Sequence, residues 1–286
     1  MKTDQFPLNY FKSIWTPKGS FKGRHQLNWF QLIVVLFFVN GLLMIPVALN
    51  YVKMDHYPIE GSYPHAFGLI DESVVSELNQ AAVTAGTLQI DNEVEWITDN
   101  GIVSVNVSDS AVQQSLKAEN ALVFSENGFY LKDGDLPVSK IQYTKDFDLS
   151  NATSVQKLKA ALSRQWFVQN RLYVVGSLML LVFSILLIST IFIVFGSAVF
   201  LYLTKKSSFS SIKTYKESVN IIENAIGLPT LVALISAVVQ FDVVVMLTIQ
   251  SLGLVLMILM IFYQTRFNDK TIPNKGFGNL GGKMND

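Results

Sequence analysis

Four stretches of the chain lack the polar positions that would give an element a wet face. Trp29–Tyr51 reads WFQLIVVLFFVNGLLMIPVALNY, with aromatics at both ends. Leu172–Leu203 carries no charge, and Ser218–Phe241 and Val243–Tyr263 are separated only by Asp242. A hydrocarbon core takes about 20 helical residues at about 1.5 Å rise each, so each stretch is read as one transmembrane helix. The second exceeds one crossing but is short of the roughly 40 residues that two would need, which makes it a single long helix. The third and fourth form a tight hairpin.

The segment between the first two runs mixes both periods. Asp71 to Ala82 places Val74, Val75 and Leu78 on one helical face behind an Asp71 cap. Val103, Val105 and Val107 alternate with polar residues at strand spacing, and Asn127-Gly128 between ALVF and FYL signals a hairpin. Thr153 to Gln156 matches a capping box, and Val155, Leu158, Leu162 and Trp166 carry a helix from there into the second apolar run. Before the first run, Phe6, Tyr10, Phe11, Ile14 and Trp15 recur at helical spacing until Pro17 and Gly19 stop the pattern. A short amphipathic helix on the inner leaflet is expected.

Composition agrees with a chain partly in lipid: 50% hydrophobic, 15% charged, 12% aromatic and no cysteine. A formal net charge of zero excludes the usual basic nucleic-acid binder. The absence of Cys removes disulfides, thiolate zinc sites and cysteine nucleophiles. The zero hides a segregation. Lys2, Lys12, Lys18, Lys22 and Arg24 precede the first run; Lys205, Lys206, Lys213 and Lys216 follow the second; Arg266, Lys270, Lys275 and Lys283 lie in the tail. By the positive-inside rule all three pieces are cytoplasmic, and the acidic segment 52–171 is outside.

The fold class expected is therefore a polytopic α-helical membrane protein in the plasma membrane, with four transmembrane helices and a small α+β extracytoplasmic domain between helices 1 and 2. The plan is a basic cytoplasmic segment 1–28, helix 29–51, outer domain 52–171, helix 172–203, loop 204–217, helices 218–241 and 243–263, and cytoplasmic tail 264–286.

Candidate chemistry is thin. Gly276, Gly278 and Gly281 spell G-x-G-x-x-G, but the strand before and the helix after that a dinucleotide needs are missing. His56 and His65 with Asp55 and Glu60 read as a solvated loop before a metal site. No catalytic residue, cofactor or metal site is expected. Within the apolar runs Glu223 is the clear ionisable residue, seven positions past Lys216 and within reach of the inner interface by snorkelling. With Asn224, Gly227 and Pro229 in the third helix, and Asn40, Gly41 and Pro46 in the first, it marks helix packing or partner docking. Pro229 removes one backbone hydrogen bond and is expected to kink its helix.

FPLNYFKSIWTPKGSFKGR before the first crossing, a large domain between the first two, and KESVNIIENAIGLPTLVALISAVV opening the third resemble the maltodextrin-utilisation membrane proteins of Gram-positive bacteria, domain of unknown function 1189. The resemblance supplies no catalytic residues. It implies a non-enzymatic accessory or regulatory protein of maltodextrin or other carbohydrate ABC uptake, with permease subunits, the lipid bilayer and a second copy of the chain as candidate partners. The alternative is an independent sensor or envelope scaffold whose outer domain binds a ligand.

Overall fold

The computed structural model describes residues 5–90, 93–207 and 209–271; the tail glycines 276, 278 and 281 lie outside them. The chain divides into two compact units, Met1–Val52 with Ser177–Asp286, and Lys53–Gly176.

The first unit is helical: α1 (Leu8–Ser13), α2 (Pro17–Lys22), α3 (Trp29–Val52), the Ser177–Leu203 part of α7, α8 (Tyr215–Val239) and α9 (Val243–Thr265). Helix α7 as a whole runs Val155–Leu203. The four helices α3, α7, α8 and α9 are long and apolar enough to cross a membrane.

Side chains set where these helices begin. Asn28 Oδ1 accepts from Gln31 N at 2.9 Å while Gln31 Oε1 accepts from Asn28 N at 2.9 Å, a reciprocal capping box ahead of α3. At α8, Thr214 Oγ1 accepts from Glu217 N at 3.2 Å, while the Glu217 carboxylate accepts from the Thr214 hydroxyl and from Lys213 N. Asp242 accepts from Val244 N and Val245 N and so turns the chain from α8 into α9.

Two expectations about helix starts need correction. The cap of α7 is Ser154, whose Oγ accepts from Lys157 N at 3.3 Å; Thr153 Oγ1 instead accepts from Lys157 Nζ. Pro17 starts a helix where the sequence pattern read a stop, because Thr16 Oγ1 accepts from Gly19 N and proline at the first position lacks only an N–H that the helix leaves unused.

Helix α8 continues through Pro229 to Val239. The ring packs against Gly253 of α9, where an added Cβ would stand 2.7 Å from Pro229 Cβ. Buried Gln250 of α9 donates to Thr230 Oγ1 at 2.9 Å beside the proline, and Thr230 donates in turn to Ile226 O.

The second unit holds α4 (Pro64–Gly68), α5 (Glu72–Gln80), β1 (Ala82–Thr84), β2 (Thr87–Gln89), β3 (Val94–Thr98), β4 (Gly101–Val105), α6 (Asp109–Ser115), β5 (Asn120–Ser125), β6 (Gly128–Asp133), β7 (Ser139–Gln142) and the Val155–Gly176 part of α7. β1 and β2 form a separate hairpin; β3 to β7 form one sheet in sequence order. All neighbours are antiparallel except β4 and β5, which are parallel and joined through α6.

Asp71 caps α5 through Ser73 N and Val74 N, and Val74, Val75 and Leu78 enter a core with Val103, Leu122, Phe124, Phe129 and Leu158. The alternation at Val103 to Val107 suits a strand with one wet face. Both faces of β4 are in fact covered: Ser104 is 0% exposed and its hydroxyl lies 2.9 Å from Ser115 of α6. The Asn127-Gly128 signal marks the β5–β6 hairpin, with Ser125 paired to Gly128. Gly128 is required by proximity: a Cβ there would run into the Ile141 carbonyl oxygen of β7.

Candidate functional site

In α8 every residue from Glu217 to Gly227 is buried, so protein surrounds this half of the helix. α9, α3, α2 and the turn Gly23–His25 all pack on it. The N-terminal segment contributes most of the polar contacts. Asn220 Oδ1 accepts from Leu27 N at 3.1 Å, and Asn220 Nδ2 donates to Leu27 O at 3.3 Å. One turn on, Asn224 Nδ2 donates to Ser20 O at 3.3 Å. Another turn on, a Cβ at Gly227 would stand 2.7 Å from Ile14 Cγ2 and 2.9 Å from the Tyr10 hydroxyl. Asn220, Asn224 and Gly227 sit at helical i, i+4, i+7 spacing, which gives α8 one face that reads the N-terminal segment. That segment, expected to lie on a leaflet, buries Tyr10, Ile14, Phe21 and Leu27 in the helical core, while Trp15 stays 59% exposed.

Glu223 stands on this buried stretch at 1% exposure, so it does not snorkel to a surface. Neither carboxylate oxygen accepts a hydrogen bond from another described residue, and the same is true of the Tyr10 hydroxyl. Burial pushes Tyr10 ionisation above its ordinary range.

At the start of α8 a second polar group closes the bundle. Arg24 Nε lies 3.8 Å from Glu217 Oε2, and Arg24 Nη2 donates to Asp269 Oδ2 at 2.6 Å. The guanidinium carbon sits 4.4 Å from the Phe21 ring centroid. Glu217 is held from its own side by Lys213 N and the Thr214 hydroxyl. One arginine thereby ties the N-terminal segment to α8 and to the turn after α9.

The other residues singled out by sequence separate. Asn40 is 0% exposed and its Nδ2 lies 3.5 Å from Phe183 O of α7. Pro46 is buried within a continuous α3. Gly41 is exposed and has nothing within 4 Å of the Cβ position, so it packs no neighbouring helix. The sequence pattern marks Arg24 only as a basic residue and does not single out Asn220, Thr230 or Gln250, although a carboxamide inside an apolar run, as at Gln250, is a readable signal. His56, His65, Asp55 and Glu60 do not converge: His56 bonds Asp55, Glu60 bonds Lys159, and His65 N donates to Asp133. Among the described residues no three metal-ligating side chains gather.

The Lys53–Gly176 unit carries its own groove, about 680 Å³, walled by one face of α7 and by the loop after β7. The hydrogen bond from His56 holds the Asp55 carboxyl below the usual carboxylate range, and the Ser150 hydroxyl does the same for Asp148.

Comparison with known proteins places these features in a family. A Streptococcus pneumoniae protein named maltodextrose utilization protein MalA is 31% identical over 92% of this chain and 97% of its own length. YvdJ of Bacillus subtilis, provisionally named for maltodextrin utilization, is 25% identical over 99% of this chain and 96% of its own. No solved structure matches. Residues 11–265 match the family described as protein of unknown function DUF1189, a span that takes in all of α8 and α9, and the chain belongs to that family.

Proposed function

We propose that the protein is a non-enzymatic membrane accessory or regulatory subunit for maltodextrin uptake. The names of the two relatives carry this reading, since both concern maltodextrin use and both cover nearly the whole chain. The four apolar helices support a place in a membrane, and in this reading the protein sits beside the permease subunits of a carbohydrate ABC transporter. The basic residues before α3, after α7 and after α9 support cytoplasmic termini and an external Lys53–Gly176 unit. In this reading the α8 seam is a structural spine, and docking falls to the surfaces around it.

A deletion strain should take up labelled maltodextrin more slowly while its hydrolase activities stay unchanged. The permease subunits should co-purify with the tagged protein in mild detergent. Normal uptake in the deletion strain ends the proposal. Orientation has a separate check, because the chain is free of cysteine. Ser108→Cys and Gln240→Cys should react with an impermeant thiol reagent on intact cells, and Ser207→Cys only after lysis. The groove favours one second reading, a sensor whose external unit itself binds the sugar.

A further inference from the structure

The groove of the Lys53–Gly176 unit has a lining that selects a ligand class. At about 680 Å³ it falls within the usual range for a small-molecule site, and a second hollow of about 310 Å³ continues it, sharing Asp55, Arg164 and Val168. One wall is a helical face of α7, formed by Ala160, Ala161, Arg164, Gln165 and Val168. The facing wall brings Asp146, Asp148 and Asn151, with Asp55 and His56 beside them.

Each simple ligand class meets an obstacle except one. A metal ion wants acceptors only, and the Arg164 guanidinium, common to both hollows, opposes it. An anion wants donors, and Asp55, Asp146 and Asp148 repel it. A neutral ligand dense in hydroxyl groups uses both kinds, because every hydroxyl donates once and accepts twice. The aliphatic strip Ala160, Ala161 and Val168 suits the C–H face of a pyranose ring.

Three of the polar groups, Gln165, Asp148 and Asp55, are also held in advance, which lowers the ordering cost of binding. Gln165, 3% exposed, holds Gln142 O at 2.6 Å and accepts from the Thr144 hydroxyl at 3.1 Å. Asp148 is held by Ser150 and Asp55 by His56.

We propose that this groove binds a short glucose oligosaccharide of the maltodextrin type. The choice of glucan among polyhydroxylated ligands rests on the maltodextrin reading above; the polyhydroxylated class rests on the lining alone.

The test is calorimetric titration of the full-length protein in detergent with maltotriose. Saturable binding is expected, weakened about tenfold or more by Asp146→Asn and by Arg164→Gln, since each removes a charged hydrogen-bonding partner. Both residues are exposed, so the variants should fold, and an unchanged thermal midpoint verifies it. Asp99→Asn, in the β3–β4 turn away from the groove, should bind as wild type. Absence of saturable binding at millimolar maltotriose, or equal binding by both groove variants and wild type, overturns the proposal. The uptake assay separates the two ideas: impaired uptake without binding removes the groove alone, and binding with normal uptake removes the accessory role alone.

Discussion

Helices α7 and α8 invert the rule that governs soluble proteins. α7 contains the most apolar window of the four long helices, and only 22% of that window is buried; α8 contains the least apolar, with 61% buried. Along α7, Leu180, Phe192 and Phe200 point outward, whereas α8 encloses two asparagines and two glutamates. In water the apolar helix would be central. In a bilayer, tails as apolar as leucine would compete for α7, and polar side chains would go where protein can satisfy them. The polar residues of an apolar run thus identify the helix at the centre, and the purely apolar run identifies the one at the rim.

The largest expected effect comes from the charge at the start of α8. Arg24→Ala leaves Glu217, with only 9% of its side chain exposed, without its cation, and should cost about 3 kcal/mol. Asp269→Asn acts on a partner whose side chain is 57% exposed and should cost under about 1 kcal/mol. Thermal unfolding in mild detergent measures both, and an Arg24→Ala protein that melts with wild type would remove α8's claim to be the centre.

Next is crowding on the buried face. Gly227→Val drives a side chain into Ile14 and Tyr10 and should cost about 2 kcal/mol, while Gly196→Val on α7, with open space around it, should be silent. Equal melting points for the two variants would erase the contrast. Asn220→Leu strands the N–H and C=O of Leu27 and should cost about 1 kcal/mol. Its readout is local: faster tryptic cleavage after Arg24 as the N-terminal segment loosens. Smallest of all, Phe192→Ala should change stability by less than about 0.5 kcal/mol, since the ring is 73% exposed. A large loss there would mean that protein, such as a second copy of the chain, covers α7 in place of lipid.

What could be read from the sequence was whatever depends on neighbours along the chain. The Asp71 cap, the hairpin at Asn127-Gly128 and the four apolar runs are local signals, and the structure carries all of them. Partners distant in sequence were opaque. Gly41 and Gly253 look alike inside apolar runs, yet one has nothing nearby and the other seats the Pro229 ring. Pro17 follows a helical pattern and so reads as a stop, although Thr16 makes it a beginning. The polar face of α8 was visible at Asn224 and Gly227, but Arg24 and Asn220 acquire their roles only when the N-terminal segment folds against them. The groove, assembled from three separated stretches of chain, left no local trace.

The contact between Leu27 and Asn220 spans 193 residues, and this span sets a clock for synthesis. A ribosome adding about 5 to 20 residues per second emits Asn220 some 10 to 40 s after Leu27. Throughout that interval the face of α8 that meets Tyr10 and Ile14 is missing, and those two side chains must wait elsewhere. The membrane interface is the natural holding place for such side chains. Tyr10 and Ile14 should then leave it when α8 arrives, which would make the beginning of the chain one of the last parts to be locked. A chain truncated before α8 should accordingly insert its first helix normally and yet remain open to protease at residues 12 to 24.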